Sequence, residues 1–276
     1  MLKQRVLTAL ILVPLVLWAL FSLNDDALFV LFAVIVLAGA FEWLQLAELT
    51  KLHERFIFIF VQFLFCGFVW YVAKHNTELS IIILASVTMV WLLIVLWLVF
   101  YEKGVINSRL GKISRVLLSY ILLPSCLLSI GFILKNFTND RFIILLLFTL
   151  IWGADVFAYF SGRAFGKHKL APSISPGKSW EGVIGALIGC FVVAIVASSL
   201  LAYPGQVRTM FVAFCLIIVL ISVAGDLFES LLKRQVGIKD SGNILPGHGG
   251  VLDRIDSLIS SAPVFSLGMY LLVVAA

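Results

Sequence analysis

Residues 79–100 read LSIIILASVTMVWLLIVLWLVF, 22 positions without one charged side chain. A helix needs roughly 20 apolar residues to cross the hydrocarbon core of a bilayer, so this stretch predicts a membrane span. Working outward from it, eight further stretches qualify: 6–23, 27–49, 56–73, 114–134, 141–162, 181–202, 208–232 and 255–275. The breaks between them carry turn and charge signals, such as Asn24-Asp25-Asp26, Lys51 to Arg55, Lys74 to Glu78 and Tyr203-Pro204-Gly205. The expected architecture is all-α: a polytopic integral membrane protein with about nine transmembrane helices. Residues 1–276 read as a single transmembrane domain, with spans one to five in 1–140. The chemistry is expected in 141–276, which holds spans six to nine and the longest loops.

Composition supports lipid as the solvent. The chain is 62% hydrophobic and 13% charged, against roughly 45–50% and 25% in soluble domains. A soluble fold of this size has too little interior for so much Leu, Ile, Val and Phe, which excludes a soluble enzyme, a disordered chain and a small disulfide scaffold. Cys66, Cys126, Cys190 and Cys215 lie scattered in apolar runs, as small buried hydrophobes do. Lys3 and Arg5 before an apolar run imitate a signal peptide, but the run is long and no small-residue cleavage site precedes Asn24, so it reads as the first span.

The net charge of +5 reads as orientation and anionic-lipid contact, with no nucleic-acid partner. With nine spans, sixteen of the 20 Lys and Arg residues fall on one side of the membrane, and only Lys74, Lys135, Arg141 and Arg208 on the other. The positive-inside rule then puts the N-terminus in the cytoplasm and the C-terminus outside. It also assigns the two long loops, Arg163 to Trp180 and Lys233 to Arg254, to the cytoplasmic face, where nucleotides are available.

Polar chemistry concentrates between Asp226 and Asp256, where nine of the chain's 35 charges occupy 31 residues. Asp226, Glu229, Ser230 and Lys233 share one helix face by their i, i+3, i+4, i+7 spacing. Asp226 lies well inside an apolar segment, where an ionised carboxylate costs about 2.5–3.5 kcal/mol unless it meets a partner or water. An intrahelical Asp–Lys network at the membrane edge is the bland alternative. Downstream, Ile244-Leu245-Pro246-Gly247-His248-Gly249-Gly250 leads into a helix that begins near Asp253-Arg254-Ile255-Asp256. Glycines before a helix N-terminus form an anion-binding device. Asp253 and Asp256, one helical turn apart, suit a hard cation such as Mg²⁺, though helix-dipole stabilisation alone explains one of them.

The other long loop carries Arg163, Lys167 and Ser175-Pro176-Gly177-Lys178-Ser179-Trp180-Glu181-Gly182. Gly177-Lys178-Ser179 invites a Walker A reading, but Pro172 stands where that motif needs its first glycine, and no βαβ context exists. What remains is a basic loop leading into a helix, with Lys178 as a phosphate ligand. Asp155, with Tyr159 and Arg163 on its helix face, is expected to pair with a cation from either loop.

The run Ser230-Leu231-Leu232-Lys233-Arg234, then Lys239-Asp240, then Pro246-Gly247-His248-Gly249-Gly250-Val251-Leu252-Asp253-Arg254-Ile255-Asp256 resembles the signature of phosphatidate cytidylyltransferases, also called CDP-diacylglycerol synthases. Every fixed position of that pattern is filled, and the stretch from Ser175 to Gly182 resembles a second family segment. The resemblance implies transfer of CMP from CTP to phosphatidic acid in the bilayer, giving CDP-diacylglycerol and pyrophosphate. It also implies a multi-pass protein of the cell (inner) membrane with its active site facing the cytoplasm, a homodimer, and Mg²⁺ dependence with K⁺ as a second metal. By motif position the metal ligands would be Asp226 and Asp253. The catalytic set expected is Asp226, Lys239, Asp240, His248, Asp253, Arg254 and Asp256. Arg163, Lys178, Ser179, Lys233, Arg234, Gly249 and Gly250 are expected to bind substrate.

The chemistry agrees with that expectation. The phosphate of phosphatidate is already an anion, so no base is required to make the nucleophile; positioning and charge stabilisation carry the reaction. His248 is accordingly read as a hydrogen-bonding or loop-shaping residue, and Asp240 and Asp256 as indirect metal partners. Two alternatives differ in kind. A CTP-dependent polyprenol or lipid kinase would release CDP instead of pyrophosphate. An ion-coupled transporter would carry its charge near the bilayer midplane in two related halves, whereas here it clusters late and at one face.

Overall fold

A computed structural model describes residues 13–102, 110–242 and 249–274. The described helices are α1 (Val13–Ser22), α2 (Asp25–Leu46), α3 (Leu52–His75), α4 (Thr77–Glu102), α5 (Lys112–Asn136), α6 (Asp140–Phe165), α7 (Trp180–Leu200), α8 (Gly205–Gln235) and α9 (Leu252–Val274). Among the described residues α2 to α9 are long and apolar enough to cross a membrane. The first expected span, 6–23, begins outside the described residues, and α1 is its described part. The fold is the all-α polytopic arrangement that the lengths of the apolar runs predict.

Most helices run a few residues beyond their apolar segments. α8 reaches Gln235 and α4 reaches Glu102 because charged ends can continue the backbone ladder into the headgroup region while keeping their heads in water. α7 stops short of its segment at Leu200, and α2 does so at Leu46. There the amides of Glu48 and Leu49 turn back to the carbonyls of Gln45 and Leu44, with Glu48 at φ 53°. This is a Schellman ending, which satisfies the last carbonyls. The same motif closes α8, where Gly237 takes the left-handed position (φ 76°) and Ile238 donates to the carbonyl of Lys233. At the other end of α2, Asn24 Oδ1 accepts the Ala27 amide at 2.8 Å, and Asp25 and Asp26 favour the positive helix terminus.

Consecutive helices alternate in direction, as their end contacts show. At one end of the bundle Asp26 pairs with Lys74 at 2.6 Å and Asp25 with Arg141 at 2.7 Å, and Thr77 donates to Asn136. At the other end Lys112 pairs with Glu54 at 2.7 Å, and the Leu110 amide donates to Gln235. Both long loops emerge at this second end. α5 and α9 are the most enclosed helices, while α3, α4 and α7 turn Phe, Leu and Ile side chains outward, as a bundle solvated by lipid does.

One small sheet interrupts the helices. β1 (Lys169–Ala171) and β2 (Ser175–Ser179) form an antiparallel hairpin within the loop after α6. It is tethered on both sides. Glu102 at the end of α4 accepts the amide and hydroxyl of Ser173, and Glu181 at the start of α7 takes the His168 amide and ring Nδ1, the latter at 2.7 Å. Ser179 closes the hairpin and caps α7, its Oγ accepting the Gly182 amide at 3.2 Å. The α8–α9 crossing is set by Gly225, since a Cβ there would stand 2.8 Å from the Asp256 carbonyl and 2.7 Å from Ser260 Cβ. That close approach brings Asp226 beside Asp256.

Candidate active site

The polar residues of α6, α8, α9 and the hairpin converge at the end of the bundle where the long loops lie. Lys178 on β2 donates to Asp226 of α8 at 2.7 Å. Asp226 also accepts the Ser230 hydroxyl one turn later at 3.3 Å. It lies within charge–charge range of Asp155 on α6 and Asp256 on α9. Nearer the loop end but more enclosed, Lys233 bridges two carboxylates, Glu229 and Asp253, at 2.6 Å each. The two groups adjoin through Glu229 and Asp256, which also lie within charge–charge range.

The two aspartates expected to hold metal therefore have different immediate partners. Asp226 faces Lys178. Asp253 is held by three donors: Lys233 at 2.6 Å, the Gly250 amide at 2.8 Å and the Ser241 amide at 3.1 Å. Among the described residues no three or more His, Cys, Asp or Glu side chains form a ready-made metal cage. Magnesium does not require one, because it takes one or two carboxylates and completes its shell with water and substrate oxygens. The donor set fits that ion. Written as ionised groups, Asp155, Asp226, Glu229, Asp253 and Asp256 outnumber Lys178, Lys233 and Arg254 by two negative charges. Glu229 is 4% exposed and its Oε1 has no hydrogen-bond partner. A buried carboxylate oxygen left without a donor is costly unless a cation compensates it.

A cavity of about 340 Å³ adjoins this cluster. Its polar lining comes from Asp155, Tyr159, Arg163, Lys178 and Ser179, and Val183 and Val223 form apolar wall. Arg163 donates to the Tyr159 hydroxyl at 3.2 Å, which holds the guanidinium on the cavity side of α6. The neighbouring outer surface is apolar: Phe160 is 65% exposed and Ile184 54%. The cavity thus has a cationic end near the loops and walls built from two lipid-facing helices.

The remaining expected residues distribute as follows. Lys239, Asp240 and Arg254 are exposed at the loop end of the bundle, Arg254 within charge–charge range of Asp155. Arg234 is exposed and reaches the Ile238 carbonyl at 3.4 Å. The hydroxyl of Ser179 lines the cavity while capping α7. His248 lies outside the described residues.

Where the glycine approach is described, three amides at the start of α9 are engaged by carboxylates of this chain, and Gly247 lies outside the described residues. Gly250 donates to Asp253. Val251 and Leu252 donate to Glu42 on α2, at 3.0 and 2.7 Å. Glu42 is absent from the set of residues that sequence reasoning selects. The signal was present, since it is a carboxylate inside an apolar run, the same argument that singles out Asp226. Its partners, about two hundred positions away, were not visible.

Comparison with known proteins places the chain in a family. Residues 3–272 match the model of the cytidylyltransferase family. The phosphatidate cytidylyltransferase of Haemophilus influenzae is 38% identical over 284 residues, covering 96% of this chain and 98% of that protein. The phosphatidate cytidylyltransferase of Pseudomonas aeruginosa is 39% identical over 269 residues, covering 96% of each. With a match that runs through all the described helices and both long loops, the chain belongs to the cytidylyltransferase family, alongside these phosphatidate cytidylyltransferases.

Proposed function

We propose that the protein transfers CMP from CTP to phosphatidate at the cytoplasmic face of the cell membrane, forming CDP-diacylglycerol and pyrophosphate. The observation that carries this reading is the cavity between α6, α7 and the hairpin. It joins a cationic end, Arg163 and Lys178, to the carboxylate cluster, and its walls are helices that face lipid. A lipid phosphate entering sideways would meet Arg163 and Lys178, while a nucleotide from water would approach past Lys239, Asp240 and Arg254.

In the reaction an oxygen of the lipid phosphate bonds to the α-phosphorus of CTP, the bond from that phosphorus to the bridging oxygen breaks, and pyrophosphate leaves. The attacking oxygen is ionised at neutral pH, so no residue has to remove a proton. The chain's contribution is to hold two polyanions together and to stabilise charge that develops between them. Lys178 is suited to this because an ammonium has three protons. It can keep its bond to Asp226 and still donate to a phosphate oxygen. Lys233 is bound to two carboxylates and nearly enclosed, so its role is to fix Glu229 and Asp253. Asp226 and Asp253, with Asp256 and Glu229 beside them, would hold magnesium, whose charge neutralises the polyphosphate and its leaving group when bound.

The test uses purified protein in detergent with phosphatidate, magnesium and CTP labelled at the α-phosphate. Label in the lipid with release of pyrophosphate is the expected result. Transfer of a γ-label with release of CDP would make the protein a lipid kinase instead. Chelating the magnesium should abolish incorporation and adding it back should restore it. Asp226→Asn should lower kcat by two orders of magnitude or more, and near wild-type turnover in that variant would remove Asp226 from the proposed metal site.

A further inference from the structure

We infer that Glu42 is a positioning residue for the reaction: its carboxylate, contributed by α2, clamps the turn that carries Asp253. The clamp has three donors. Oε1 accepts the Val251 amide at 3.0 Å; Oε2 accepts the Leu252 amide at 2.7 Å and the Ser241 hydroxyl at 3.0 Å. Residue 42 is only 3% exposed, so these charge-assisted bonds form away from water, where they are strongest.

Several independent features converge on this carboxylate. Leu252 is the first residue of α9, and a helix start leaves its amides without intrahelical partners. Here the cap comes from another helix, with a full negative charge at the positive end of the α9 dipole. The same short segment is held from the other side by Asp253, which accepts the Gly250 and Ser241 amides. Ser241 therefore bonds to both carboxylates, through its hydroxyl to Glu42 and its amide to Asp253. Gly250 admits this arrangement because a Cβ there would collide with the Ser241 hydroxyl and the Glu42 carboxylate. The base of the clamp is rigid as well. Trp43, the next residue on α2, donates its ring N–H to the Arg115 carbonyl at 3.0 Å, and Arg115 donates to the Leu46 carbonyl at 2.8 Å. The route runs from α5 through the last turns of α2 to the turn before α9, and so to Asp253. Glu42 touches neither Lys178 nor the cavity lining. Its loss should disturb the nucleotide-facing side of the site and leave the lipid side alone.

The inference rests on the cytidylyl-transfer reading, and its test separates the two. Glu42→Gln keeps the shape but replaces one acceptor by an amide NH2 group that faces an N–H donor. In detergent, the KM for CTP should rise at least fivefold, while the KM for phosphatidate stays within twofold of wild type. A merely structural loss would reduce the active fraction and lower kcat, with both KM values unchanged. That outcome, or equal rises in both KM values, overturns the proposal. If Glu42→Gln does not fold, Ser241→Ala removes one donor of the clamp. It should raise the KM for CTP at least twofold, and an unchanged value overturns the proposal. Amide hydrogen exchange needs no substrate: in either folded variant, Val251 and Leu252 should exchange at least tenfold faster. Wild-type exchange rates overturn the clamp whatever the reaction is. A wild-type enzyme that makes no CDP-diacylglycerol overturns the functional reading alone.

Discussion

Replacing Lys233 by methionine changes little in volume or reach but removes the one ammonium between two carboxylates. The side chain of Lys233 is 11% exposed, those of Glu229 and Asp253 are 5% and 8%, and both ion pairs measure 2.6 Å. Breaking a buried pair by removing one partner costs about 3–5 kcal/mol, because the other charge is left uncompensated. Two hydrogen bonds to charged groups, at about 1.5–3 kcal/mol each, give about 3–6 kcal/mol, which overlaps that range. The site's negative excess also grows by one charge. Lys233→Met should therefore destabilise the protein by about 3–5 kcal/mol, roughly two to four powers of ten in the unfolding constant. The companion variant tests the cause: Glu229→Gln together with Lys233→Met removes one of the two stranded charges. That double variant should recover at least about 1 kcal/mol relative to Lys233→Met alone. Unfolding by sodium dodecyl sulfate in mixed micelles, followed by the fluorescence of the seven tryptophans, measures all four members of the cycle. A Lys233→Met protein within about 1 kcal/mol of wild type would refute the reasoning, as would a double variant no more stable than the single one.

Arg115 is fully buried, and its guanidinium binds the Leu46 carbonyl and the Glu48 carboxylate at 2.8 Å each. Both bonds leave from the same Nη1 atom, and Arg115→Met removes them together, so it should cost about 1–3 kcal/mol in the same unfolding assay; no loss would remove Arg115 as the mooring of α2. Orientation is testable with introduced cysteines, because the four native ones are buried. A membrane-impermeant maleimide on right-side-out spheroplasts should label Lys135→Cys. Gly177→Cys, whose new side chain meets nothing within 4 Å, should be labelled only after permeabilisation. The reverse pattern would put the hairpin outside the cell.

The spans were legible in the sequence because a bilayer imposes a length on every apolar run, and the runs here are separated by charges. Their ends were less legible: Arg234 and Gln235 look like loop yet continue α8. The hairpin carries no strand signal in the sequence and reads as loop. Its strands are short and rich in Ser, Gly and Lys, and it is held by Glu102 and Glu181, partners that no local pattern announces. For the site, Asp226, Lys233, Asp253 and Asp256 could be singled out because they fall within 31 residues. The pairing of Lys178 with Asp226 and the cap by Glu42 join segments distant in sequence, and only the packing of α2, α8, α9 and the hairpin reveals them. That the Gly250 amide goes to Asp253 and the Val251 and Leu252 amides to Glu42 is equally hidden, because a cap donated by another helix leaves no local trace.

The bond between Glu42 and Leu252 spans 210 positions of chain, which gives it a consequence for biosynthesis. At roughly 5–20 residues per second, α2 leaves the ribosome some 10–40 s before its partner amides exist. For that interval its carboxylate has none of the three donors that hold it in the finished protein. Insertion of α2 therefore depends on help from water, the insertion machinery or a neighbouring helix. The final turn of the enzyme locks only when the last helix arrives. A chain truncated before α9 keeps an unmatched carboxylate within an apolar helix, a chemical mark by which quality control could tell it from the finished enzyme.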